Sequence, residues 1–205
     1  MSVRRRNVAD MQRKRRVQAT ILFCLTVTSA FSQSAGLPFI RNYQPQEYKS
    51  SPQNWSVTQD QHGILYFGNN DGILEYDGSN WNLINVPGVS SIATDSIGYI
   101  YAGFDNDIGY CQPDSKGNYR FVSLKPLIPE GHKDINLCYR VHVSGGKVIF
   151  QTSDHIYIYD HKKISCFQAP DRLVWSFLVN NRIYVSDRKK GMYSIQEDGL
   201  SLIPG

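Results

Sequence analysis

The sequence repeats itself, and the repeat is the feature that most limits what the chain can fold into. Asn54–Ile84 (NWSVTQDQHGILYFGNNDGILEYDGSNWNLI) lies over Ser90–Leu124 (SSIATDSIGYIYAGFDNDIGYCQPDSKGNYRFVSL) in one frame. Val57 falls on Ile92, Asp60 on Asp95, Gly63 on Gly98 and Gly68 on Gly103, each displaced by 35 residues. A looser third copy runs from Tyr139 to Phe167 and a fourth from Arg172 to Ile203, with Val141 and Phe177 offset by 36. The step from Ile92 to Val141 is 49, so about 14 residues are inserted. They lie near Lys125–Asn136 (KPLIPEGHKDIN), whose two prolines and one glycine read as a loop. A unit of this size cannot enclose a core alone, so each must hide its apolar face against the next.

Each unit carries four short strand signals separated by turn residues. In the first they are Trp55–Gln59, Ile64–Gly68, Gly72–Tyr76 and Trp81–Asn85. Asp60-Gln-His-Gly63 and Asp95-Ser-Ile-Gly98 place Asp first and Gly fourth, as a type I turn prefers. Asn70-Asp71-Gly72 and Asp77-Gly78 supply residues that tolerate positive φ in tight hairpins. The second strands read as near-continuous apolar runs (Tyr99-Ile100-Tyr101, Val148-Ile149-Phe150, Ile183-Tyr184-Val185), as strands covered on both faces should. Gly68 and Gly103 end the second strand of their copies, where close backbone approach is expected. Aromatic residues at 12%, with 13 tyrosines, suit pleated, half-buried surfaces. Four strands per unit of about 35 residues is the pattern of a propeller blade. The expected fold is therefore all-β: a partial β-propeller of about four four-stranded antiparallel blades (about 54–87, 89–124, 137–170 and 172–205), preceded by an N-terminal signal helix.

Residues 1–33 read as a signal peptide, with 34–53 a lead-in segment. A basic stretch ending at Arg16 precedes an apolar run from about Ala19 to Ala30, then small and polar residues. The run is short for a membrane span, which needs about 20 residues, so export and cleavage are expected rather than retention as an anchor. The leader also explains the net charge of +4. It holds seven basic side chains and one acid; without them the totals of 22 and 18 become 15 and 17. The folded part thus lacks the basic face that nucleic acid requires, and no nucleic-acid partner is expected. Cys24 belongs to the leader, leaving Cys111, Cys138 and Cys166. An odd count without CxxC spacing gives neither a zinc motif nor a full disulfide framework, and buried free thiols are expected.

The run Asp60-x-x-Gly63-Ile-Leu-Tyr-Phe-Gly68, then Asp71-Gly72-Ile-Leu-Glu-Tyr76-Asp77-Gly78, then Trp81, resembles the two-component regulator propeller repeat. The stretch Gly36–Tyr43, with Tyr48 and Gln53-Asn54-Trp55, is similar to the start of such regions, so the resemblance covers about residues 36–205. It is strongest in the first copy. The third has Gly145-Gly146 in place of the Asp turn, and the fourth has Asn180-Asn181. The resemblance implies an extracytoplasmic, ligand-sensing input region, on the periplasmic side of the inner membrane. It would sit ahead of a triple-tyrosine sandwich, a membrane helix and a kinase or DNA-binding output, and the chain would be its N-terminal fragment. Those downstream domains of the same polypeptide are the implied partners, a homodimer being a further one.

No GxSxG, HExxH or phosphate loop is present; no catalytic residues, metal site or cofactor are expected. His62, His132, His142, His155 and His161 are scattered and read as surface residues. If a ligand binds, the loops joining second to third strands and the starts of first strands ring one mouth of the channel. The candidate ligand-binding residues are therefore Asn69, Asn70, Asp71, Asp105, Asn106, Asp154, His155 and Arg188, with Trp55, Tyr139 and Trp175 at equivalent strand starts. Polar groups beside aromatic rings suit a glycan, small molecule or peptide; a competing reading makes the tryptophans wedges between blades. A secreted protein-interaction scaffold is the alternative function, and a propeller lyase or hydrolase a third.

Overall fold

The computed structural model describes residues 40–196 and 199–204. The expected signal helix and Cys24 lie outside these residues. Among the described residues sixteen strands form four separate four-stranded sheets, each an antiparallel meander in chain order. The first blade is β1 (Asn54–Gln59), β2 (Leu65–Asn69), β3 (Gly72–Tyr76) and β4 (Trp81–Ile84). The second is β5 (Ser91–Thr94), β6 (Ile100–Gly103), β7 (Ile108–Pro113) and β8 (Tyr119–Ser123). The third is β9 (Arg140–Ser144), β10 (Lys147–Gln151), β11 (His155–Tyr159) and β12 (Ile164–Gln168). The fourth is β13 (Leu173–Val179), β14 (Arg182–Asp187), β15 (Gly191–Gln196) and β16 (Gly199–Leu202). The first strands of successive sheets lie beside one another, β1 by β5, β5 by β9 and β9 by β13. This is the packing of blades around an axis.

The hairpins follow from their turn residues. Asp60 Oδ1 accepts the backbone N–H groups of His62 and Ile64, both at 2.9 Å. Asp95 Oδ1 does the same for Ile97 and Tyr99 at 2.9 and 3.0 Å. The third blade instead turns on Gly145 and Gly146 (φ 57° and 72°) and the fourth on Asn180 and Asn181 (φ 49° and 58°). Positive φ at two successive residues is the tight turn that matches strand twist. At the third-to-fourth-strand hairpins an aspartate recurs: Asp77, Asp114 and Asp160 each accept two backbone N–H groups of their own turn.

The core lies between blades. Tyr66, Ile73 and Ile84 of the first pack with Ile92, Ile100, Ala102 and Phe104 of the second. Tyr101 and Ile108 pack with Val141, Val148, Phe150 and Tyr157 of the third. Ile149, Ile156 and Ile158 meet Leu173, Ile183, Val185 and Tyr193 of the fourth. Middle strands are covered on both faces: every residue of β6 and β11 is buried. Each such large side chain contributes about 1.5–3 kcal/mol by leaving water. Gly103 marks a close approach of the second blade to the insertion, since a Cβ there would lie 2.6 Å from Cys138 Cβ. The inserted loop is pinned rather than free. It contains a 3-10 turn at Lys125–Leu127, and Ile128 and Ile135, each 2% exposed, enter the core between the second and third blades.

The outer face of the first blade is capped by the lead-in. Its short helix α1 (Pro45–Tyr48) starts at Pro45, which costs no hydrogen bond there, while Glu47 accepts the Gln44 backbone N–H at 2.8 Å. It stops where Lys49 turns left-handed at φ 53°. Tyr43 and Tyr48 lie 5.2 and 5.4 Å from Trp81, which stacks on Tyr76 at 4.4 Å. The first strand of the fourth blade differs. Val174, Trp175, Phe177, Leu178 and Val179 of β13 are all at least 40% exposed.

Candidate functional site

Where the first strands begin, the four blades enclose a cavity of about 780 Å³. Every blade contributes. Trp55 and Asn70 come from the first, Ser90 and Asp105 from the second, Tyr139 and Arg140 from the third, and Arg172, Leu173, Trp175 and Arg188 from the fourth. The topology causes this convergence. Starts of first strands and the loops between second and third strands lie at the same end of a meander, so blades around an axis point both sets at one mouth.

Trp55 and Trp175 are 57% and 50% exposed, so their rings line the cavity rather than wedge between blades. Asn70 fixes the first ring by accepting Trp55 Nε1–H at 2.7 Å. Arg140 fixes the second, its guanidinium standing 4.7 Å over the Trp175 ring, a cation–π contact. Arg140 also donates to the Tyr139 carbonyl at 2.9 Å. Arg188 is drawn toward Asp171, 3.5 Å away. The floor is apolar, from Val89, Leu137 and Leu173. The described lining holds three arginines and one carboxylate, Asp105, so its formal charge is positive. The arrangement offers flat aromatic faces for stacking and guanidinium forks for oxygen ligands.

Of the residues expected from sequence, Trp55, Asn70, Asp105, Tyr139, Trp175 and Arg188 meet in this cavity. The others are placed elsewhere. Asn69 is fully buried and anchors the lead-in, donating to the Ser51 carbonyl at 2.7 Å and to Asn54 Oδ1 at 2.8 Å. Asp71 holds the same segment by accepting the Ser51 N–H at 2.7 Å. Asn106 sits in a left-handed turn (φ 64°) and accepts from Lys125 Nζ at 2.8 Å. Asp154 lines a smaller neighbouring cavity of about 510 Å³ with Tyr139, Asn136 and Arg172. His155 is 8% exposed and faces His132 instead of the channel. Arg140 and Arg172 were not anticipated, although Arg140 directly follows Tyr139 at the start of its strand.

The thiols Cys111, Cys138 and Cys166 are free. Burial pushes Cys111 and Cys138 up to about 12 and Cys166 up to about 11, so none is a ready nucleophile. A second set of side chains converges away from the cavity: His132, His155 and Cys166 bring their donor atoms within 4.8 Å of one another. No spacing motif marks that trio, because its members come from the inserted loop, from β11 and from β12. Among the described residues no helix is long and apolar enough to cross a membrane.

No protein-family model matches the sequence, and no curated protein resembles it closely enough to count as a relative. Solved propellers do share its fold. A streptogramin B lyase superposes with TM-score 0.58 at 19% identity, covering 74% of this chain and 54% of its own. Virginiamycin B lyase from Staphylococcus aureus gives 0.57 at 16%, covering 74% and 56%. The extracellular domain of the hybrid two-component system BT3049 from B. thetaiotaomicron gives 0.58 at 16%, covering 81% of this chain and 24% of that one. The corresponding domain of BT4673 gives 0.56 at 19%, covering 74% and 21%. The chain therefore spans about half the length of the lyases and under a quarter of the extracellular domains. At these identities the likeness establishes a β-propeller fold.

Proposed function

We propose that this chain is the ligand-sensing part of an extracytoplasmic propeller that reports binding to an output domain of a longer signalling polypeptide. The observation that carries the reading is the cavity at the strand starts, into which all four blades send side chains. A ligand held there touches every blade at once, so binding biases their mutual packing, which is what a sensor must convert into a signal. The likeness to extracellular domains of two-component systems, each much longer than this chain, supports both the location and further blades beyond these four. The chemistry favours a carbohydrate bearing carboxylate or sulfate groups. Trp55 and Trp175 supply stacking faces, while Arg140, Arg172 and Arg188 supply anion-binding forks. Asp105 is the single carboxylate among the described lining residues, which include three arginines, a set suited to holding an anion rather than to paired acid–base catalysis. This supports a binding module over the activity of the lyases with the same fold.

Titration calorimetry with neutral and acidic oligosaccharides tests the reading. Acidic members should bind, and Trp175→Ala should weaken them at least about tenfold, or about 1.4 kcal/mol. Arg172→Ala should weaken acidic ligands more than neutral ones. Equal binding by the wild type and both variants would refute it. A second reading, a protein-interaction scaffold, draws on Phe177 and Val179, two apart on β13 and both about half exposed. A periplasmic protein captured through these side chains, with no saccharide binding at the cavity, would favour the scaffold.

A further inference from the structure

We propose that His132, His155 and Cys166 form a binding site for a zinc-type transition-metal ion on the third blade. The fold brings the three together from separate places. His155 opens β11 and Cys166 lies in β12, where it pairs with Tyr157. Residues two apart on a strand share a face, so His155, Tyr157 and Cys166 lie on one side of the blade, and the His155 and Tyr157 rings stack at 5.6 Å. The inserted loop brings His132 over that face and is held there by the Tyr157 hydroxyl, which donates to the His132 carbonyl at 3.0 Å.

The two imidazole nitrogens already stand near coordination distance. His132 Nδ1 and His155 Nε2 are 3.1 Å apart. Two nitrogens bound tetrahedrally to one zinc lie about 3.3 Å apart, and a nitrogen and a thiolate sulfur about 3.6 Å. All three donor atoms fall within 4.8 Å of one another, so closing on an ion needs only small side-chain shifts. The combination of two imidazoles and a thiol selects zinc or a softer d10 ion over magnesium or calcium. Three protein ligands leave a fourth position for water or another donor.

The surroundings supply a second, independent sign. His155 is 8% exposed, and its Nδ1 has no hydrogen-bond partner. Asp154 Oδ2 stands 3.3 Å from that nitrogen, in ion-pair range. A metal-bound histidine commonly donates its other ring N–H to a carboxylate. With Nε2 on the ion, His155 carries its proton on Nδ1, where Asp154 is the neighbouring acceptor. On binding, the Cys166 thiol gives its proton to solvent. The site is separate from the sensing cavity, so it adds a metal to the module whatever ligand the cavity takes.

Cobalt(II) and zinc(II) are the probes, added to the full chain in reducing buffer. One equivalent of cobalt should give a thiolate-to-cobalt charge-transfer band, and zinc should displace it. Cys166→Ser should abolish the band, whereas Cys24→Ser should leave it. His132→Ala, on the half-buried loop, should weaken zinc at least about 100-fold, and Asp154→Asn about 10–100-fold. The Asp154 variant keeps all three ligands and covers the case in which a ligand variant fails to fold. Binding without a thiolate band, or a band unchanged in Cys166→Ser, would overturn the proposal, as would no binding at micromolar zinc.

Discussion

Replacing Tyr101 by Phe tests whether the turn aspartates also serve as anchors for the core. Tyr101 is fully buried between the second and third blades, and its hydroxyl donates to Asp95 Oδ2 at 2.8 Å. Burial and then the aspartate hold its phenol well above the usual tyrosine range. A hydrogen bond to a charged group contributes about 1.5–3 kcal/mol. Asp95 keeps two backbone donors and is partly open to water, so the loss should fall at the low end, about 1.5 kcal/mol. The unit from Tyr43 onward is in the size range where 1 kcal/mol moves Tm by about 2–4 °C, so Tyr101→Phe should lower it by about 3–6 °C. The equivalent pair in the first repeat is a built-in control. Tyr66 reaches Asp60 Oδ2 only at 3.4 Å and shares its hydroxyl with Tyr119 at 3.0 Å. Tyr66→Phe should cost about 1 kcal/mol, inside the usual neutral-bond range of about 0.5–1.5 kcal/mol. Urea unfolding followed by tryptophan fluorescence measures both, with unchanged m-values showing that only stability moved. A Tyr101→Phe midpoint equal to wild type, or a larger loss in Tyr66→Phe, would refute the reasoning.

Gly103→Ala should destabilise by about 1–3 kcal/mol through overpacking against Cys138 and Val141, and adding Cys138→Ala should recover part of that loss, both read by the same urea assay. The carboxyls of Asp77, Asp114 and Asp160 are held below the usual range by the backbone N–H groups of their turns. A carboxyl lowered in the folded state gives stability that is complete above about pH 4 and is lost as pH falls through its folded value. Changing all three to Asn keeps the turns but should flatten the fall in Tm below pH 4. His142 is lowered by burial and by Arg140 while its Nε2 meets the Ser176 hydroxyl at 2.8 Å. Its share of stability is present above about pH 6.5 and fades below it, so His142→Gln should show a smaller loss of Tm between pH 7 and 5.

The repeat, the turns and the strand faces could all be read from the chain because they depend on near neighbours. Asp60 with Gly63, Asp95 with Gly98, and Asn180-Asn181 set local backbone geometry, and a buried strand must be apolar along its length. The half of the candidate site that sequence reached was reached by register. Trp55, Tyr139 and Trp175 lie near the starts of their strands, and a repeated meander sends equivalent positions to one mouth. Register could not separate Asn70 from its neighbours. Asn69 and Asp71 are as polar and adjacent, yet they bond the lead-in, which the repeat does not contain.

The sequence alone determined a blade-forming all-β repeat whose apolar faces must be covered by further blades. Only the tertiary structure decided what covers them: Tyr43 and Tyr48 of the lead-in cap the first blade, and the insertion seals the joint between the second and third. It also decided that His132, His155 and Cys166 meet. Their separations of 23 and 11 residues follow no period of the chain. A contact of that kind is set by how an irregular loop lies across a sheet, and local residue patterns carry no record of it.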